Sequence, residues 1–527
     1  MILRKSISLK SAVFVLSTAM LLGFAESSIA EVKLPAVISD NMVLQQAMQV
    51  PVWGWAEPGE EVTVTGSWQR KGWNTKADKD GKWMVGIDPP KQTAGSYEMT
   101  IKGSNTLTIK NILVGEVWIC SGQSNMEMPV GRSMWFKTGV NNYQQEIEAA
   151  HYPKIRLFTV KQTTAARPQK DCSGTWAACS PETVAEFSAV AYFFGRQVHQ
   201  RLNVPVALIQ TCWGGTPAEA WTRREVLEAD PDLRPIVDRI DKAQVDYIAA
   251  MKEYSQKLAE WLPAAAEANV KGCETPVEPA KPASPEGPKS PCRLYNGMIA
   301  PLLPYGIAGA IWYQGESNTS RAYQYRKLFP AMIENWRKDW GQGDFPFYYV
   351  QIAPFNFKPE FIAAELREAQ MIALSLPNTG MAVTTDIGNI NDIHPQNKQD
   401  VGRRLALWAL AKTYGQKNII FSGPLYKSMK VEGDKIRLFF DYADGGLVAK
   451  DGPLTDFTIA GEDRNFVEAA AKIDGDTIVV SSDKVKKPVA ARFGWRNTAV
   501  PNLFNKAALP ASSFRTDDWP GVTYNQR

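Results

Sequence analysis

Histidine is almost absent from this chain: three in 527 residues, His151, His199 and His394. The six cysteines form no C-x-x-C pair. These two shortages exclude a zinc finger or ribbon, whose ligands come as closely spaced Cys and His, and no metal is expected. A basic block is also missing. A formal charge of +4 spread over the whole chain gives no electrostatic footprint for nucleic acid. Beyond the first 30 residues no apolar stretch reaches the roughly 20 residues that a helical bilayer span needs, so stable membrane insertion is not expected. No repeat of solenoid type is present. The histidine shortage also narrows a search: the side chain that serves as a base near neutral pH is usually imidazole, and only three are available.

What is present begins with a processing segment. Arg4, Lys5 and Lys10 precede the apolar run "SAVFVLSTAMLLGFA", and small residues Ser28 and Ala30 stand ahead of Glu31. This pattern predicts a signal peptide, residues 1–30, cut after Ala30, and a secreted or periplasmic product. All six cysteines lie beyond the cut. An even count in an exported chain permits disulfides. Cys172–Cys179 and Cys273–Cys292 close short loops, which leaves Cys120 with Cys212; free buried thiols are the alternative for that last pair.

At 44% hydrophobic and this length, two or three domains with sizeable cores are expected. Residues 31–112 read as a small β-sandwich: "EVTVTGSW" alternates with period two, and Asp80-Gly81 predicts a hairpin turn. From 113 to 416 strands alternate with helices. "EVWICSG", "VALIQTCWGG", "GAIWYQGESN", "FYYVQIAP" and "MAVTTDIG" are apolar runs ending in small or polar residues, with helices expected over 184–202, 322–340, 361–376 and 396–413. Such alternation predicts a parallel sheet covered on both faces, with ligands at the carboxyl ends of its strands. Residues 263–291 carry a proline at every third position from Pro276 to Pro291, and read as an exposed extended loop. Residues 417–527 return to β texture and predict a second sandwich, with Asp474-Gly475 as its clearest turn.

The unusual polar clusters all fall at predicted strand ends. "CSGQSNM" presents Ser124 just past a strand. A serine hydroxyl attacks only when a base takes its proton. "TCWGGTP" sets Gly214 and Gly215 at the next end, where a backbone N–H can approach a substrate. "WYQGESN" supplies Gln314 and Glu316. "NDIHPQN" supplies His394, with Asp392 two residues before it. Each cluster has a bland reading as cap, turn or helix start. Four of them in one domain point instead to acyl transfer, whose tetrahedral oxyanion needs convergent donors.

Taken together, "GQSNMEMP", "GGTPAEAW", "WYQGESN" and "DIHPQNKQDVGRRLA" resemble the sialate O-acetylesterase family of the SGNH hydrolase superfamily, and "VISDNMVLQQ" and "PVWGWAEPGE" resemble its N-terminal part. The resemblance implies an α/β fold with an SGNH-type, flavodoxin-like, three-layer parallel sheet between N- and C-terminal β-sandwich domains. It implies Ser124 as nucleophile, His394 as general base, and an oxyanion hole from the Ser124 N–H, the Gly215 N–H and the Gln314 side chain. The acid that orients His394 is open between Asp392, Glu316 and Asp386: the common Asp-x-x-His spacing is broken here, with Asn391 in the expected place. No cofactor is implied. The expected function is removal of O-acetyl groups from sialic acids through an acetyl-enzyme. Acetylated xylan or another plant polysaccharide is the alternative substrate, and a non-catalytic glycan-binding protein the alternative of another class. Arg132 and Arg321 are candidates for meeting a sialic acid carboxylate.

Overall fold

The computed structural model describes residues 31–91, 95–443 and 445–527; the expected signal peptide lies outside the described residues. At its centre is a mostly parallel sheet of seven strands: β1 (Thr106–Gly122), β2 (Tyr152–Thr159), β3 (Trp176–Cys179), β4 (Val206–Cys212), β5 (Gly309–Tyr313), β6 (Phe347–Val350) and β7 (Thr379–Ala382). Their order across the sheet is β7-β6-β5-β1-β4-β2-β3, and only β2 and β3 pair antiparallel. The helices that bear on the site are α1 (Ser124–Glu127), α2 (Ala189–Leu202), α3 (Arg234–Lys271), α4 (Ala322–Trp340), α5 (Ile362–Ile372) and α6 (Lys398–Trp408).

The strands are continuous apolar runs because both faces are covered. Side chains alternate across β1: Ile119 enters one core with residues of α4 and α5, while Trp118 and Cys120 enter the other with residues of α2 and α6. In this arrangement the strand ends of β1, β4 and β5 lie side by side, since Cys212 and Tyr313 both pair with Gly122. Gly122 has φ +142°, and a Cβ there would stand 2.2 Å from the Tyr313 carbonyl oxygen. Only glycine fits so close an approach, and it turns the chain sharply from strand into the helix that starts at Ser124.

Antiparallel sheets flank this centre. Glu61–Gly66 pairs with Trp73–Lys76 and with Tyr97–Lys102, which in turn pairs with the first part of β1. The expected boundary at 112–113 therefore falls inside one unbroken strand. Two four-stranded antiparallel sheets follow residue 424, enclosing Ile436, Leu438, Phe457, Ile478, Phe493 and Phe514. Asp474-Gly475 does turn a hairpin, Ala470–Asp474 against Thr477–Ser481. Asp80-Gly81 does not: the strand before it pairs with Glu61–Gly66, and Lys82–Ile87 pairs with Val50–Trp55. The turn signal was right locally, but the chain crosses between sheets there.

Two further expectations are corrected. The segment 263–291 is not all loop, because α3 runs through Pro263 to Lys271. An Ala-rich run follows that proline, and the lost hydrogen bond does not stop the helix. All six cysteines are free thiols, so no disulfide forms. Cys172 packs against one core and Cys179 lies in the other, across the sheet. Cys273 is exposed while Cys292 is buried. Cys120 faces Gln210 in the β1–β4 register, and Cys212 is two positions further on, opposite Gly122.

The C-terminal sheets are tied to the centre by Arg367 on α5. Fully buried, it donates to the carbonyls of Gly494 (3.4 Å), Arg496 (3.1 Å) and Asn497 (2.9 Å). Arg367→Met removes all three of these hydrogen bonds from the buried junction and is expected to cost about 3 kcal/mol. Calorimetry reads this as a lowered Tm, and an unchanged Tm would remove Arg367 as the tie.

Candidate active site

Ser124 is the first residue of α1, directly beyond the Gly122 turn. Its backbone N–H belongs to the first helical turn and has no intrahelical acceptor. Its Oγ lies 2.8 Å from Nε2 of His394. His394 rides on the loop between β7 and α6. That loop is folded by its own acid: Asp392 Oδ1 accepts the His394 backbone N–H at 2.9 Å, and the Asp392 N–H donates to Asn389 O at 3.1 Å. The edge of the Phe136 ring meets the imidazole, centroids 5.1 Å apart. The other histidines are elsewhere. His199 sits on α2 with Nδ1 against Val204 O, 2.6 Å, and His151 is exposed in a loop.

Asn125, next to the serine, clamps the two loops together. Its Nδ2 donates to Ile393 O at 2.9 Å and to Glu316 Oε1 at 2.6 Å, while its Oδ1 accepts from Lys398 Nζ at 2.6 Å. Glu316 and Lys398 are both buried. Burial pushes the Glu316 carboxyl above the ordinary carboxylate range and pulls the Lys398 ammonium down to about 7, although each group's charge favours the other. Burial and then the Lys398 charge hold the His394 imidazole below its usual value, opposed by Asp392.

These contacts separate the three candidate acids. Asp392 touches His394 through the backbone N–H, and its charge acts on the ring. Glu316 is bound to Asn125. Asp386 is held by both terminal nitrogens of Arg404, at 2.6 Å each. The donors separate likewise. The Gly214 N–H is taken by Glu127 Oε2 at 2.5 Å. Gly215, at φ +71°, opens on a cavity, with only Lys289 Cε near the place its Cβ would occupy. Gln314 does not serve as expected: fully buried, its Nε2 is committed to Asn318 Oδ1 (2.6 Å) and Thr216 O (3.3 Å), and its Oε1 to the Tyr325 hydroxyl (3.0 Å). It ties the end of β5 to the turn after β4. Asn125, Glu127 and Lys398 escaped the sequence reading, although each lies inside a quoted motif.

A hydroxyl on an imidazole, with backbone donors at adjacent strand ends, can perform acyl transfer. A family model described as carbohydrate esterase, sialic acid-specific acetylesterase, matches residues 114–254 and 289–411. The chain belongs to this family. It is a carboxylic ester hydrolase of the carbohydrate acetylesterase type. A sialate O-acetylesterase of Rattus norvegicus is 31% identical over 451 residues, covering 76% of this chain and 77% of that protein. That of Homo sapiens is 29% identical over 545 residues, covering 94% of each. The crystal structure of a carbohydrate acetylesterase from Xanthomonas citri superposes with TM-score 0.77 at 34% identity, covering 93% of this chain and 100% of that one. The internal stretch between the two matched parts, 255–288, holds the latter part of α3 and most of the proline-rich segment.

With His394 read as the base, its lowered pKa gives an expected pH response. A base must be unprotonated to act, and a lowered pKa keeps it so to lower pH. The acid limb of kcat/KM for p-nitrophenyl acetate is expected to bend below the ordinary imidazole value of about 6.5. Stopped assays from pH 4 to 8 check this; a bend above that value contradicts the assignment.

Proposed function

We propose that this esterase removes O-acetyl groups from sialic acids through an acetyl-enzyme. Ser124 Oγ attacks the acetyl carbonyl as His394 Nε2 takes its proton. The oxyanion is met by the N–H groups of Ser124 and Gly215. The imidazolium is stabilised by Asp392 and returns the proton to the sugar oxygen, which leaves as an alcohol. Water then attacks the acetyl group, with His394 again the base, and acetate departs as Ser124 regains its proton. The observation that carries this reading is the 2.8 Å Ser124–His394 contact beside a glycine turn that opens on a cavity. The names of the rat and human relatives support the substrate class.

The finer architecture belongs to the same proposal. The central sheet with helices on both faces is read as an SGNH-type three-layer domain running to 416, which shares the strand Thr106–Gly122 with a β-sandwich unit on its N-terminal side and is followed by a second one at 417–527. The product is read as secreted or periplasmic, after cleavage near Ala30. A second substrate reading, an acetylated plant polysaccharide, is favoured by Met134 and Trp135, which are 78% and 82% exposed beside Phe136; an exposed indole is a stacking surface for a sugar ring.

The wild type is expected to turn over p-nitrophenyl acetate, and Ser124→Ala to lose roughly 10⁴-fold or more. Equal turnover by both proteins removes the mechanism and leaves a glycan-binding protein. Acetate release is expected to be faster from O-acetylated sialic acid than from acetylxylan. The reverse order moves the substrate to the polysaccharide.

A further inference from the structure

The cavity that Gly215 lines holds more positive charge than its own carboxylate balances. Its volume is about 550 Å³, and Gly215, Ser317 and three cations line it: Arg239, Lys289 and Arg321. Gly215 brings it next to the candidate site, because Gly215 follows Gly214, where an added Cβ would stand 3.3 Å from the Ser124 Cβ. Arg239 comes from α3, Lys289 from the end of the proline-rich segment, and Arg321 from the turn after β5.

Glu219 is the one acid lining this cavity, and it is already used. Its Oε1 accepts from Arg321 Nη2 at 2.5 Å and its Oε2 from Asn318 Nδ2 at 2.8 Å. Arg321 is thereby held in place. Arg239 donates to a terminal carboxylate oxygen of Arg527 at 2.5 Å. Among the described residues Lys289 has no carboxylate within ion-pair distance, so the three cations still outnumber the acids that meet them. Burial and then the neighbouring Arg321 charge push the Arg239 guanidinium below its ordinary range, with Glu219 opposing. Two like charges held this close repel, and an anion placed between them recovers that energy. A guanidinium fork matches a carboxylate in shape, with two parallel N–H donors.

We propose that this cavity is the subsite for the carboxylate of an O-acetylated sugar acid, with Arg239 and Arg321 as the residues that set specificity and Lys289 at the rim. The inference rests on the esterase reading above and deepens it: a sialic acid carries such a carboxylate and an acetylated neutral xylan unit does not. Pro285 and Pro291, which line the same cavity, give the proline-rich segment a place as its outer wall.

The test compares kcat/KM for acetate release from O-acetylated N-acetylneuraminic acid and from its C1 methyl ester, each divided by kcat/KM for p-nitrophenyl acetate on the same protein. In the wild type the free acid is expected to exceed the methyl ester about tenfold or more. Arg239→Gln is expected to lower the free-acid ratio about tenfold, through KM, and to abolish the difference between acid and ester. Arg239→Lys, which keeps the charge but not the fork, is expected to restore part of it. Arg321→Gln repeats the loss from the other wall. The inference is overturned if the wild type treats acid and methyl ester alike, or if Arg239→Gln lowers both alike. A wild type that cleaves p-nitrophenyl acetate and acetylxylan but neither sialic acid form overturns the sialate reading itself, and this subsite with it.

Discussion

A hydroxyl and an imidazole 270 residues apart along the chain stand 2.8 Å apart in space, and the rest of the site is organised around keeping them there. One side of the contact is rigid because it is the end of a strand. β1 is buried between β4 and β5, and Gly122 lets its last residue turn under the Tyr313 carbonyl so that Ser124 emerges at the carboxyl end of the strands. The other side is a loop, which has no ladder to hold it. Two devices substitute for one. The Asp392 carboxylate folds the loop back on the His394 amide, and Asn125 takes the Ile393 carbonyl from across the gap. The residue that follows Ser124 thus also holds the loop that carries His394.

Asn125 can do this only if its amide is fixed, and that explains a costly feature. Glu316 and Lys398 are ionisable groups buried beneath the reacting pair, one on each end of the Asn125 amide. Taking two such groups out of water costs several kcal/mol apiece unless partners replace the solvent. Here the Asn125 amide is that partner: it donates to one and accepts from the other, so its orientation admits no flip. Burial, and after it the Lys398 charge, lowers the proton affinity of His394, while Asp392 raises it. The imidazole is therefore biased toward its neutral form while it keeps a carboxylate close by.

The strand ends and the candidate side chains that the structure brings together there were legible in the sequence because they combine two signals, an apolar run and an abrupt change to small polar residues. Ser124, Gly215 and His394 all carry it. What was hidden depends on pairing that no local pattern encodes. Gln314 sits in the same kind of motif, yet its amide turns inward to Asn318 and Thr216; which way a side chain points from a strand end is decided by its neighbours. Asp80-Gly81 makes a tight turn, but partner choice is set by the sheets on either side. Helix α3 went unread because so little of it is apolar and packed: Ile236, Val237 and Ala265 are its buried residues. Exposed pairs such as Lys242–Asp246 and Lys257–Glu253 line it instead, a pattern that resembles any solvated charged stretch. Cysteine parity misled because it counts thiols without the register that separates Cys120 from Cys212.

Chemistry and selectivity come from different parts of the chain. The reacting groups stand on the ends of parallel strands and the loops directly after them, where geometry is fixed by the sheet. Two of the three cations around the neighbouring cavity come from a long polar helix and from the end of a proline-rich segment, each joined to the sheet at a distance. A strand end can hold a hydroxyl to within a fraction of an ångström but has little room for variation. A helix and loop added above it can alter charge and shape without disturbing the hydroxyl. The matched family region breaks at 254 and resumes at 289, inside that addition. Substrate preference in this family is therefore best sought where α3 and the proline-rich segment meet Gly215, because there one substituted side chain changes what binds and leaves intact what reacts.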